Sequence, residues 1–126
     1  MENQSTINKL ELIAQSVQEI ARSARKVNAS LVKEKGIEYN QQLTHGFAWY
    51  ATYAETITQT VNWIKELNKK NTLTDYEMEI AKIGVGEYCL QVMHGIPMSQ
   101  SEIIRPHEIG VQKKLLKNFE DICKEI

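Results

Sequence analysis

Apolar residues at alternating spacings of three and four run through the first segment of the chain. Ile7, Leu10, Ile13, Val17, Ile20, Ala24, Val27 and Leu31 fall on one stripe of an α-helix. A stripe sustained over so many turns leaves few options, because another element with a matching apolar face must cover it. Ser5 offers a hydroxyl to the free amides at the N-terminus, and Gly36 followed by Ile37 supplies a left-handed stop with an apolar clasp. The spacing therefore predicts a helix over about 6–35.

The same reading predicts a second helix over about 41–68, opening near Asn40, with Leu43, Phe47, Tyr50, Ala54, Ile57, Val61 and Ile64 on one stripe. Trp49, Tyr53, Trp63 and Leu67 widen that stripe enough to touch several neighbours. Its other face is small and flat, made of Ala48, Ala51, Thr52, Glu55, Thr58 and Asn62, and Lys65, Lys69 and Lys70 suit the negative pole of the helix dipole. After a turn near Leu73, Thr74 and Glu77 have the spacing of a capping box and open a third helix over about 75–94, stopped by Gly95 and Pro97. Pro106 can open a fourth over about 107–126, with Leu115, Phe119, Ile122 and Ile126 as its stripe. The intervening stretch IPMSQSEIIRP is unusually apolar for a connection, which implies that it packs down.

No strand or repeat interrupts this pattern, so an all-α, antiparallel four-helix bundle with two longer N-terminal helices and two shorter C-terminal ones is the expected architecture. At 126 residues, 42% hydrophobic and 25% charged, the chain suffices for one core and not for two, so a single domain over 1–126 is expected. The long pair would span roughly 42 Å and the short pair roughly 30 Å at 1.5 Å per residue. Apolar surface left uncovered by that mismatch would serve as an interface, with Ala48, Ala51, Thr52 and Glu55 as the candidate partner face and a homodimer or a docked protein as its occupant.

The charges nearly cancel, 15 Lys and Arg against 16 Asp and Glu, which removes the broad positive field that draws proteins to nucleic acid or anionic lipid. No apolar run approaches the roughly 20 residues that span a bilayer, and the start MENQSTINKLELIAQ lacks the pattern of a signal peptide, so a cytoplasmic location is expected. Cys89 and Cys123 lack CxxC spacing and read as small buried hydrophobes.

Four polar residues hold the most chemical promise. With the third helix wound at 100° per residue, Gly84, Glu87, Tyr88 and Gln91 are expected to face the bundle, where a carboxylate among apolar neighbours would have its pKa raised and could move protons. His45, Tyr50, Arg22 and Arg25 are its available partners, and His45, Glu87, Gln91 and His94 form the candidate buried polar cluster. The plainer reading of such a cluster is a hydrogen-bonded register lock between helices. A di-iron bundle would need two Glu-x-x-His pairs, and the sequence has none, so no metal site is expected. Gly84 and Gly86 make a G-x-G inside a helix rather than a phosphate loop, and Ser99 and Ser101 lie outside any nucleophile elbow, which leaves no catalytic or cofactor-binding residue to name.

Two stretches carry a family likeness: HGFAWYATYAETITQTVNWIKEL from His45 to Leu67, and IGVGEYCLQVMHGIPMSQSEIIRPHEIGV from Ile83 to Val111. With His-Gly-x-Ala-Trp-x-Ala-Thr-Tyr at His45 to Tyr53, Gly-Glu-Tyr at Gly86 to Tyr88 and the Gly95 to Pro106 segment, the chain resembles the helical N-terminal extension of methylsuccinyl-CoA dehydrogenase-type acyl-CoA dehydrogenases. Ser101 stands where the resemblance leads us to expect glycine. The resemblance implies a fragment of an enzyme that oxidises an acyl-CoA thioester with FAD and a glutamate base. Those groups belong to later domains, so it carries over no catalytic residue, flavin site or CoA pocket. Two readings follow. One is a non-catalytic accessory domain that associates with itself or docks on an acyl-CoA dehydrogenase. The other is a small module or enzyme that holds an acyl-CoA-type ligand through the polar cluster.

Overall fold

Helix α1 (Glu2–Lys35) buries Ile7, Leu10, Ile13, Ala14, Val17, Ile20, Ala21 and Ala24, nearly the stripe that its spacing predicts. The structure, a computed structural model, describes residues 2–125, so the expected contribution of Ile126 lies outside the described residues. The helix starts at Glu2 rather than after a Ser5 cap. The Gln4 side-chain amide donates to the side-chain Oδ1 of Asn8 one turn on (2.9 Å), and Glu2 sits at the positive pole of the dipole, so the first turn holds without a serine cap.

The end of α1 also differs from expectation in its clasp. Gly36 adopts the left-handed conformation (φ 85°) and donates to the Val32 carbonyl (2.8 Å), but Ile37 stays exposed. The covering group is Asn40, 5% exposed, whose side-chain amide donates to the carbonyls of Leu31 (3.3 Å) and Gly36 (3.2 Å). A helix end has carbonyls without intrahelical partners, and Asn40 satisfies them from the turn.

Helix α2 (Gln41–Lys69) returns antiparallel to α1 and buries Gly46, Tyr50, Tyr53, Ala54, Ile57, Val61 and Ile64. Register between the two is marked by Gln18 donating to Thr58 (2.9 Å) and by an ion pair of Lys65 with Glu11 (2.5 Å). Thr58 thus sits toward α1 rather than on the open face. Helix α3 (Asp75–His94) begins at the expected capping box, where the Thr74 backbone amide donates to the Glu77 carboxylate (2.9 Å), and its buried stripe is Met78, Ala81, Val85, Cys89 and Val92. It ends as expected at Gly95, whose amide donates to the Gln91 carbonyl (2.8 Å).

The apolar connection packs down as a small antiparallel hairpin, β1 (Ile96–Pro97) with β2 (Ile103–Ile104), in which Ile96 pairs with Ile104. Both isoleucines are buried, which is why so short a ladder holds its place. The fourth helix is shorter than expected. Pro106 opens a 3-10 turn (Pro106–Ile109), Gly110 breaks it at φ 81°, and α4 (Lys113–Cys123) starts only after that. A Cβ on Gly110 would come within 2.7 Å of Val27, so glycine lets the backbone close onto α1 there, and the chain changes direction instead of continuing a helix.

The layers follow from these faces. Helices α1 and α2 form the central pair, α3 lies on α2, α4 lies on α1, and α3 and α4 meet only sparingly. The fold is an all-α bundle with one small hairpin. Among the described residues, no helix is long and apolar enough to cross a membrane.

Candidate functional site

One side of the molecule is built by the outer faces of α2 and α3. On α2, Ala48, Thr52 and Glu55 are exposed and Ala51 is half-buried. The hydroxyls of Thr52, Thr56 and Thr60 donate in sequence to the carbonyls of Ala48, Thr52 and Thr56, each at 2.8 Å. This back-bonding uses the donors within the helix and leaves a surface of small groups with little demand for water. Trp63 ends the strip, 41% exposed.

Against this strip stands the outer face of α3. Tyr76, Ile80, Ile83 and Leu90 are 74%, 45%, 69% and 54% exposed, and their spacing of four, three and seven puts them on one side of the helix. Helix α3 thus carries apolar residues on two faces, the one that packs on α2 and one that is largely open to solvent among the described residues. Between Trp63, Thr60 and Thr56 on one wall and Ile80, Gly84 and Glu87 on the other runs a groove of about 350 Å³, floored by Ile57, Ala81 and Val85.

The expected buried polar cluster does not form. Glu87 is exposed, as are His45 and His94, and Gln91 is half-buried. The physical reason is the rotation of α3. Val85 and Cys89 point into the core, and a residue two positions from either is turned by about 200°, so Glu87 faces water on the groove rim and its carboxylate keeps its hydration. Gly84 is exposed as well, while Tyr88 and Gln91 lie at the flank. Arg22 and Arg25, expected as partners, are exposed on α1.

A different polar ladder links α2 to α3. The Trp49 indole donates to His45 Nε2 (2.9 Å), Trp49 meets Tyr53 edge-on at 6.2 Å, and Tyr53 stacks on Tyr88 at 4.5 Å between ring centroids. The Tyr53 hydroxyl donates to Gln91 Oε1 (2.5 Å), and burial followed by the neighbouring Tyr88 raises its pKa. Of the four candidates, His45 and Gln91 enter this ladder at opposite ends, and Glu87 and His94 do not. Deeper in, the Tyr50 hydroxyl donates to the carbonyls of Val92 (3.0 Å) and Ile104 (3.4 Å), and burial, with Glu108 second, pushes its pKa well up. Among the described residues, no three of His, Cys, Asp and Glu converge as a metal-ligand set.

The exposed stripe of α3 is what sequence reasoning missed. Its signal was present in Tyr76, Ile80, Ile83 and Leu90, but an inner and an outer stripe on one helix blur each other in any search for a single apolar face.

No family model matches the chain. It is similar to (2S)-methylsuccinyl-CoA dehydrogenase of Cereibacter sphaeroides, with 37% identity over 97 residues, which cover 75% of this chain and 18% of that protein. The chain therefore resembles a segment of an acyl-CoA dehydrogenase and spans less than a fifth of the length of this relative.

Proposed function

We propose that the chain is a non-catalytic accessory domain that docks, through the outer face of α2 and α3, on the body of an FAD-dependent acyl-CoA dehydrogenase. The observation that carries this reading is the unpartnered apolar stripe of Tyr76, Ile80, Ile83 and Leu90, continued by Trp63 across the groove. Apolar surface of this extent is costly in water and marks a contact. The likeness supports this choice of occupant, because the relative carries a similar segment within a much longer chain whose remainder offers a surface for such a segment. Self-association through the same face is the competing occupant.

The test is sedimentation of the chain alone and mixed with the C. sphaeroides dehydrogenase from which the matching segment has been removed. A complex in the mixture that Ile83→Glu abolishes supports the reading. A chain that pairs only with itself, or binds equally well with Ile83→Glu, overturns it. A second reading, an acyl-CoA-type ligand, is favoured by the mainly apolar groove beside Glu87. It requires a rise in melting temperature with acyl-CoA thioesters that is lost when Gly84→Phe fills the groove.

A further inference from the structure

The groove between α2 and α3 has a chemistry that narrows what can lie in it. Both walls are helices whose backbone amides and carbonyls are spent on their own ladders, and the hydroxyls of Thr52, Thr56 and Thr60 return to carbonyls of α2. An extended segment laid there finds no strand edge to pair with and loses water from its own backbone polar groups. A helix arrives with its backbone already paired. The small side chains of the walls leave room for a helical ridge, and a Cβ built on Gly84 meets nothing within 4 Å.

Charge narrows the occupant further. Among the residues lining this groove and the adjoining hollow over α2, only Glu55 and Glu87 are charged. Both are exposed, Glu55 on α2 and Glu87 on the α3 rim, and neither belongs to an ion pair among the described residues. Lys82 stands on the far flank of α3, paired with Glu79 (3.4 Å), and Lys69 and Lys70 lie past Trp63 where α2 ends. A second copy set face to face on this surface brings carboxylates against carboxylates, which is unfavourable. A cationic partner turns the same two groups into attractions.

Building on the docking face described under the proposed function, we propose that the α2–α3 groove receives a basic amphipathic helix. Its apolar ridge, at i, i+3 or i+4, and i+7, seats between Trp63 and Ile80, and Lys or Arg residues bordering the ridge meet Glu55 and Glu87. Ile83 and Leu90 extend the apolar contact along α3. The two parts of the surface do different work. Apolar burial supplies the affinity, and the carboxylates select the sign of the partner. Each exposed ion pair is weak by itself and is screened by salt, so the selection is strongest at low ionic strength and fades as salt rises.

The experiment titrates the purified chain with two synthetic helical peptides of about 18 residues, or roughly five turns. Both are alanine-rich and carry the same leucine stripe, bordered by Lys in one and by Glu in the other. The expected result by calorimetry at low salt is binding of the Lys peptide at least about tenfold tighter than the Glu peptide, a gap that narrows in about 0.5 M salt. Ile83→Glu should abolish binding of the Lys peptide. The double variant Glu55→Lys, Glu87→Lys should reverse the preference, and its two sites are exposed, so a parent-like melting temperature confirms that the fold is kept. Equal affinity for the two peptides, no binding of either, or Lys-peptide binding that survives both Ile83→Glu and the double variant would each overturn the proposal. The C. sphaeroides dehydrogenase lacking the matching segment separates this inference from the docking reading. If the Lys peptide behaves as expected and the dehydrogenase does not bind, the docking reading falls and the basic-helix groove stands. If the dehydrogenase binds and the double variant leaves its affinity within about twofold, less than half of a tenfold step in free energy, the docking reading stands and this one falls.

Discussion

The Tyr50 hydroxyl donates to the backbone carbonyl of Val92 at 3.0 Å, so a side chain in the middle of α2 satisfies one of the carbonyls that the end of α3 leaves without an intrahelical partner. The same hydroxyl lies 3.4 Å from the Ile104 carbonyl of β2. A single polar atom thereby joins three elements at the point where the hairpin enters the core. Tyr50→Phe keeps the ring and its packing and removes only this donor. The expected loss is about 1–3 kcal/mol, because a buried carbonyl deprived of its partner retains its desolvation cost. Urea denaturation should show a lower midpoint with an unchanged slope, and a loss under about 0.5 kcal/mol would mean that water replaces the hydroxyl.

Tyr50 also sets a dependence on alkaline pH. Its folded pKa is raised above the ordinary 10.0, first by burial and then by Glu108. Below pH 10 both states keep the phenol proton and the linkage has no effect. Above it the unfolded chain releases the proton while the folded chain holds it, so stability falls as pH rises, by up to about 1.4 kcal/mol per unit for one such group. Tyr53, shifted the same way, adds to the slope. Urea midpoints between pH 9 and 11 should decline in the parent chain and decline less steeply in Tyr50→Phe.

Two glycines should respond in opposite directions. A Cβ on Gly46 would meet Ile104 Cγ1 at 2.6 Å and Cδ1 at 2.8 Å in a fully buried place, whereas a Cβ on Gly84 meets nothing within 4 Å. Gly84→Ala should stabilise the isolated chain by about 1 kcal/mol through helix propensity alone. Gly46→Ala gains the same propensity but must displace Ile104, and overpacking costs of about 1–3 kcal/mol leave it neutral to destabilised by roughly 2 kcal/mol. Thermal melts of the two variants should therefore fall on different sides of one another, with Gly84→Ala the higher.

What was legible in the sequence was whatever had a single phase. The stripe of α1 has polar residues on its remaining faces, so spacing alone located Ile7 through Ala24, and Thr74 with Glu77 located the start of α3. By its position Asn40 signals only the opening of α2, because a turn asparagine looks the same whether it faces water or caps the preceding helix from inside. The expected fourth helix is too long because Pro106 is an equally good first residue for a 3-10 turn, and a contact remote in sequence, Gly110 on Val27, decides between the two. At the candidate site the small residues of α2 were visible as a face. The inward expectation for Glu87 fails because α3 is apolar on two sides and spacing does not choose between them.

The turn between α1 and α2 depends on Asn40 in a way that substitution can measure. Its amide serves the Leu31 and Gly36 carbonyls from a site that is 5% exposed. Asn40→Ala should cost about 1–2 kcal/mol, and amide exchange should speed up at the end of α1 before it does so in α2. Equal acceleration along both helices would assign the loss to the whole fold rather than to this cap.

The orientation of α3 itself is open to a direct test with Val85 and Glu87, two positions apart and on opposite sides of the helix. Val85 is 1% exposed and Glu87 is open to solvent. Val85→Asn places an amide without partners in the core and removes apolar contact, at an expected cost of about 2–4 kcal/mol. Glu87→Gln at the exposed position should stay within about 0.5 kcal/mol of the parent. If α3 were turned so that Glu87 faced the bundle, the ranking would invert, with the carboxylate substitution shifting stability and its pH dependence while Val85→Asn passed unnoticed. Urea midpoints for the two single variants, compared at pH 5 and pH 8, separate these orientations. They also fix which face of α3, with Ile83 and Leu90 beside Glu87, is left to meet a partner.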